Sequence, residues 1–159
     1  MRVTHVITRL IVGGAQENTV ASVLGLRVKP GLEVELLSGP TTGPEGSLEL
    51  LLEPYPDLFT RLTELVRPLH PWQDVRALTK LTRKFRARKP DIVHTHSGKA
   101  GVLGRLAAHR AGVRLIVHTI HGPSFGPFQG TLANQLFRAA ERHAGRVTSH
   151  FVVVADAMR

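Results

Sequence analysis

The sequence predicts an α/β fold, a doubly wound parallel sheet in a three-layer α/β/α sandwich. Three observations carry this. Short apolar runs alternate with segments of helical periodicity along the whole chain, the pattern of βαβ units. Glycines stand where those runs would pass from strand to helix. The 159 residues suit one domain with a core of its own.

Val3 to Thr8 reads as the first strand, punctuated by Gly13-Gly14 and followed by a helix from Ala15 to Leu26. Lys29-Pro30-Gly31 stops that helix, and Glu33 to Leu37 is a short second strand. Gly39 to Gly46 holds three Gly and two Pro and is a loop. A short helix is expected around Ser47 to Glu53, and a third strand near Glu64 to Arg67. Pro71 to Ala87 is an amphipathic helix with Val75, Leu78, Leu81 and Phe85 as its apolar stripe. Pro71 and Asp74 suit its first turn, and Trp72 is assigned to the same buried stripe.

Asp91 to Thr95 forms a strand that runs into His94-Thr95-His96. The next helix opens at Ser97-Gly98-Lys99 and ends at Ala111, with Gly112 as its stop. Val113 to Thr119 is another strand, Gly122 to Gly130 a loop rich in Gly, Pro and Phe. A helix from Thr131 to Ala144 is expected to bury Leu132, Leu136, Phe137 and Ala140. Ser149 to Ala155 is the last strand. The expectation is one Rossmann-like domain over 1–159 with six strands in the order 3-2-1-4-5-6. The short tail after the last strand leaves nothing to finish a larger architecture.

Composition narrows the function classes. There is no cysteine, hence no disulfide framework and no thiolate metal site. No apolar run is long enough to span a membrane, and the N-terminus does not read as a secretory signal. A cytoplasmic location is the simplest reading. The formal charge of +9 is uneven: residues 1–60 carry four Lys/Arg and seven Asp/Glu, giving −3, whereas 61–159 carry seventeen and five, giving +12. Such a field attracts anions, whether nucleic acid, an anionic membrane surface or phosphorylated small molecules.

Four features are candidates for function. Gly13-Gly14 lies between a strand and a helix, where the backbone can approach a ligand and the helix end offers roughly half an elementary charge to a phosphate; the bland alternative is an ordinary tight turn. The motif is neither GxGxxG nor a Walker loop, which argues against a standard nucleotide site in this chain.

The second feature is His118-Thr119-Ile120-His121-Gly122. His121 falls just past the strand, beside a glycine, and should point into the cleft as a group able to move a proton near neutral pH. His118 falls within the strand and should pack in the sheet. Either could instead be a hydrogen-bonded structural histidine.

His94-Thr95-His96 is the third. Alternate strand residues share a face, so the two imidazoles lie side by side. A metal would need further ligands around them, and the few acidic residues do not supply them, so no metal site is expected. His96, Ser97 and Lys99 are read instead as lining the cleft at a helix N-terminus.

The fourth is the basic run Arg76, Lys80, Arg83, Lys84, Arg86, Arg88 and Lys89. It is either a solvated helix face or a docking surface for anionic lipid. Nucleic acid is disfavoured because no aromatic platform interleaves with the charge.

Taken in order, Gly13 to Glu17, Lys89 to His96, Lys99 to Arg105 and His118 to Gly122 resemble the N-terminal, acceptor-side domain of a GT-B type, family 4 retaining glycosyltransferase, and Val154 to Met158 resembles the hand-over to its linker. One departure is Gln16, which stands ahead of Glu17 where many relatives place the glutamate directly. The resemblance implies transfer of a sugar, of the hexosyl type, from a nucleotide-sugar donor to an acceptor hydroxyl, with retention and without an obligatory metal or other cofactor. The setting it implies is polysaccharide or glycolipid assembly, with a sugar or lipid-linked acceptor. It implies His121 at the reacting centre, Gly13 and Gly14 near the donor diphosphate, and His96, Ser97, Lys99 and Gly122 on the acceptor side. The nucleotide-binding C-terminal domain, with its basic pair and Glu-x7-Glu motif, is absent from these residues, so the segment alone is expected to be inactive. Peripheral contact with the inner face of an anionic membrane fits this setting. Two other readings stand beside it: a non-catalytic Rossmann-like ligand- or partner-binding module, and a GT-B epimerase acting on nucleotide sugars.

Overall fold

The computed structural model describes residues 1–96, 98–122 and 130–156. Six strands, β1 (Arg2–Ile7), β2 (Glu33–Ser38), β3 (Phe59–Arg61), β4 (Ile92–His96), β5 (Leu115–Ile120) and β6 (His150–Val153), form one sheet in the order β3-β2-β1-β4-β5-β6. Every neighbouring pair is parallel. Four helices connect them: α1 (Gly14–Arg27), α2 (Pro71–Arg88), α3 (Gly98–Ala111) and α4 (Thr131–Gly145). The strand order expected from the sequence is the one observed.

Two cores lie on the two faces of the sheet, because alternate strand residues point to opposite sides. On one face Val6, Leu37, Val93 and Ile116 pack against Ala77, Leu81 and Phe85 of α2 and Ala107 of α3. On the other, Ile7, Val34 and Leu36 pack against Val20 and Val23 of α1 and against Leu52 of the 3-10 turn Glu49–Leu52. Truncating a fully buried side chain such as Leu81 costs about 2–5 kcal/mol.

The ends of α2 show why the chain turns there. His70 caps its N-terminus, Nδ1 accepting from the Gln73 amide at 3.3 Å, and Pro71 occupies the first turn, where no amide hydrogen is needed. Lys89 closes the helix in the left-handed conformation, its amide donating to the Phe85 carbonyl at 2.8 Å. Gly112, at φ 75, stops α3 in the same way.

Three expectations need correction. The third strand is Phe59–Arg61, registered on Leu36–Ser38, and not Glu64 to Arg67. Three residues are too few to show alternation, and Leu62 and Leu65 beyond them plug the core beneath α2. Trp72 is not in the buried stripe of α2 but 69% exposed, and Val75 is exposed as well; the buried face is turned to Ala77, Leu81, Thr82 and Phe85. On α4, Leu132 and Leu136 are exposed at 72% and 56%, because the helix lies at the sheet's edge and meets α3 with only part of its apolar side.

The basic run on α2 is largely neutralised. Arg76 and Lys80 pair with Glu64 at 3.8 and 2.6 Å, and Lys84 and Arg88 pair with Glu35 at 2.8 and 3.2 Å. Hydrogen bonding from Lys80 holds the Glu64 carboxyl below its usual range. This row therefore fastens α2 to β2 and to the Leu62–Val66 turn.

Candidate functional site at the carboxyl edge of the sheet

The carboxyl ends of β1, β4 and β5 lie side by side, and the strand order reverses between β1 and β4. This is the crevice where open α/β sheets bind ligands. Gly13-Gly14 follows β1, Lys99 opens α3 after β4, and His121-Gly122 follows β5. Ser97 lies outside the described residues.

Gly13 caps α1, its carbonyl receiving the Gln16 and Glu17 amides at 3.0 and 2.9 Å. Neither glycine has a φ that demands glycine. A Cβ built on Gly14 meets nothing within 4 Å. The fold itself leaves space at this helix N-terminus.

The histidines form one array. β1 and β4 are registered so that His5 lies opposite His94, and His96 shares its face. His5 Nδ1 and His96 Nε2 are 3.0 Å apart, and His96 Nδ1 and His121 Nε2 are 3.1 Å apart. His94 stacks on His96 with centroids 4.3 Å apart and reaches Thr119 Oγ1 at 2.7 Å. His5 and His96 are buried, whereas His94 and His121 are half-buried, His121 standing just past the carboxyl end of β5.

Burial lowers the pKa of every member. His5 is pushed down to about 3 and His94 to about 4, each helped by a neighbouring imidazole. His96, the most surrounded, is lowered furthest, and His121 is lowered by partial burial. All four are therefore neutral at pH 7, each with one N–H and one lone pair. His5, His94 and His96 each offer a nitrogen within 4.8 Å of the others, the closest approach to a metal-ligating set among the described residues. The nitrogens paired at 3.0 and 3.1 Å are also within hydrogen-bond distance of each other.

His118 belongs elsewhere. It lies on the opposite sheet face, buried, with Nδ1 2.9 Å from Thr95 Oγ1 and its ring edge-on to Phe151. Burial first, then the Arg105 charge, lowers its pKa to about 3. It lies directly beneath α3, where a Cβ on Gly101 would come 2.5 Å from its Cε1. Gly104 likewise lets α3 approach Thr95, at 2.7 Å from a Cβ. The glycines of Lys99 to Arg105 thus serve helix–sheet packing. Arg105 is fully buried, its guanidinium paired with Glu141 of α4.

Two acceptor-side expectations change. His96 does not line the cleft; it is buried behind His121. Lys99 does not add free positive charge, because its ammonium pairs with Asp74 and donates to the Pro68 carbonyl. With Leu69, Val102, Leu136 and Phe137 it borders an apolar cavity of about 400 Å³ between α2, α3 and α4. Gly122 is half-buried at the end of β5. Sequence reasoning missed His5, whose signal was a histidine on the first strand at the same depth as His94.

The glycosyl transferase 4-like domain family matches residues 13–159, nearly the whole chain. The chain belongs to that family. A curated relative, the UDP-Gal:alpha-D-GlcNAc-diphosphoundecaprenol alpha-1,3-galactosyltransferase of Escherichia coli, is 38% identical over 80 residues, which are 50% of this chain and 21% of that protein. Among solved structures, MurG of Acinetobacter baumannii superposes with a TM-score of 0.66 at 15% identity, covering 100% of this chain and 42% of that one. The lipopolysaccharide outer core galactosyltransferase WaaB gives 0.64 at 11% identity, with 99% and 40% covered. A UDP-GlcNAc 2-epimerase from Methanocaldococcus jannaschii gives 0.66 at 12% identity, with 98% and 40% covered, and at that identity shows the shared fold alone. This glycosyltransferase domain therefore spans about 40% of the length of such proteins.

Proposed function

We propose that the chain is the acceptor-side half of a retaining glycosyltransferase that moves a hexosyl group from a nucleotide-sugar donor to a hydroxyl of a saccharide or lipid-linked acceptor. The bond between the anomeric carbon and the diphosphate oxygen breaks, a bond to the acceptor oxygen forms, and the hydroxyl proton leaves with the diphosphate. The observation that carries this reading is the pairing, at one edge of the sheet, of a helix N-terminus left open at Gly14 with a neutral, half-buried His121. The helix end suits the donor diphosphate. His121 meets the sugar or acceptor at the reacting centre, with Gly122 beside it.

Stabilising charge on the departing diphosphate is the largest expected catalytic contribution. Two described cations near this edge are engaged, Lys99 with Asp74 and Arg9 with Glu45 at 3.8 Å and the Thr42 carbonyl. We place the cationic groups in a separate nucleotide-binding domain, and the isolated segment is inactive in this reading, without a metal requirement. The galactosyltransferase relative is named for a diphosphoundecaprenol acceptor, which supports a lipid-linked acceptor, and we place the enzyme at the inner face of a membrane as part of the same proposal. No helix among the described residues is long and apolar enough to cross one. With Arg76, Lys80, Lys84 and Arg88 paired, contact with an anionic surface falls to Arg83, Arg86 and Lys89.

The test is sugar transfer measured with labelled nucleotide sugars and a polyprenyl-diphosphate GlcNAc acceptor, for the full-length protein and for residues 1–159. Transfer by the full-length protein alone is expected. Transfer by residues 1–159 overturns the proposed division of labour, and no turnover of any nucleotide sugar by the full-length protein overturns the enzyme reading.

A further inference from the structure

The row His5–His96–His121 contains three neutral rings and two links. Each link consumes one N–H and one lone pair. Because a neutral imidazole has one of each, fixing His96 fixes the whole row. If His96 carries its proton on Nδ1, it donates to His121 Nε2 and accepts at Nε2 from His5 Nδ1–H. His121 then carries its proton on Nδ1. If His96 carries its proton on Nε2, every link reverses, and His5 carries its proton on Nε2.

The two arrangements differ at the buried end. His5 is fully buried, and its Nε2 has no hydrogen-bond partner. In the reversed arrangement that atom is an orphaned N–H in the interior. In the first it is only a bare lone pair, and buried donors are left unpaired more rarely than acceptors. His94, the other ring packed on His5, does not relieve this, since its Nε2 is committed to Thr119 Oγ1. At the outer end His121 is half-buried, and no hydrogen bond joins its Nδ1 to another described residue.

We propose that His5 and His96 are positioning residues that set the tautomer of His121, so that it presents Nδ1–H to the cleft and acts as a hydrogen-bond donor to a substrate oxygen, not as a base. This rests on the role proposed for His121 above. A free imidazole favours the opposite tautomer, with the proton on Nε2, so the row holds all three rings in a state they would not otherwise adopt, and the orphaned N–H that the reversed arrangement would bury at His5 outweighs that preference. The oxygen it suits is one that gains negative charge or already carries it, on the sugar or on the departing diphosphate. The hydroxyl of the acceptor must then lose its proton elsewhere.

The experiment is a long-range ¹H–¹⁵N correlation spectrum of the chain labelled with ¹⁵N-histidine at pH 7.5, signals assigned by single-histidine variants. Nδ1–H patterns for His5, His96 and His121 are expected. Nε2–H patterns for His96 and His121 overturn the proposal. In His5→Phe, which removes the donor to His96 Nε2, His121 is expected to shift towards the Nε2–H pattern, and His5→Asn, whose amide nitrogen stands in the place of Nδ1, is expected to restore the original. An unchanged His121 pattern in a folded His5→Phe chain also overturns it. Should His5→Phe fail to fold, the unmodified chain's spectrum still decides. The spectrum is independent of sugar transfer, so full activity of a His121→Ala enzyme removes the functional reading without touching the tautomers, and the reverse holds as well.

Discussion

His96 Nδ1 and His121 Nε2 lie 3.1 Å apart, joining a buried imidazole on β4 to a half-buried one just past β5. The contact exists because the two strands are parallel neighbours in register, His96 opposite Thr119. It makes the cleft histidine the outer end of a polar row that runs into the sheet to the fully buried His5. A side chain held in this way can be placed to within the few tenths of an ångström that chemistry requires.

Gly14 and Gly39 separate function from fold. A Cβ on Gly39 falls 1.7 Å from the Leu65 carbonyl and 2.7 Å from that of Thr8, both backbone atoms that cannot yield. Gly39→Ala should therefore cost about 3 kcal/mol or more, read as a lower midpoint in urea. Gly14→Ala meets nothing within 4 Å and sits in a helix, so its stability should be unchanged or raised by up to about 1 kcal/mol. Loss of donor binding by a stable Gly14→Ala full-length enzyme would assign the glycine to the ligand; unchanged binding would make it an ordinary turn residue.

Acid should unfold the domain through its histidines. His5 and His118 are lowered to about 3 and His94 to about 4, from an unfolded value near 6.5. The folded state thus binds fewer protons than the unfolded one between those limits, and stability falls as pH falls. It should be full above about pH 6.5 and decline down to about 3–4, each histidine contributing up to about 1.4 kcal/mol per pH unit. Urea midpoints at pH 7.5, 6, 5 and 4 read this directly; a flat profile over that range would contradict the buried neutral array.

Two glutamates on β2 should differ in worth. Glu35 is 4% exposed and holds both Lys84 and Arg88, whereas Glu33 meets Arg2 at the surface. Glu35→Gln leaves two cations without a counter-charge at a semi-buried site and should cost about 1–3 kcal/mol. Glu33→Gln should cost at most about 1 kcal/mol. Equal losses in thermal unfolding would mean that the α2 ion pairs do not fasten that helix.

Strand order was legible, and with it the edge of the sheet that carries the candidate residues, because alternation, glycine turns and parallel connectivity are local signals that point the same way. The site's depth was not. His5 joins it only through the β1–β4 register, a contact between residues 91 apart in sequence. Lys99 and the α2 cations read as open charge because their partners Asp74, Glu64 and Glu35 come from other elements. The α4 stripe was real, yet Leu132 and Leu136 stay exposed, since periodicity states which face is apolar and not how much of it finds a partner.

The central claim, that His121 serves chemistry while His118 serves packing, is tested most directly by sugar transfer in the full-length enzyme carrying His121→Ala or His118→Ala. His121→Ala should lower kcat by about 100-fold or more with little change in Tm. His118→Ala should lower Tm, through the cavity left under Gly101, while the folded enzyme keeps kcat within a few-fold. Equal losses of kcat in the two variants would contradict the assignment.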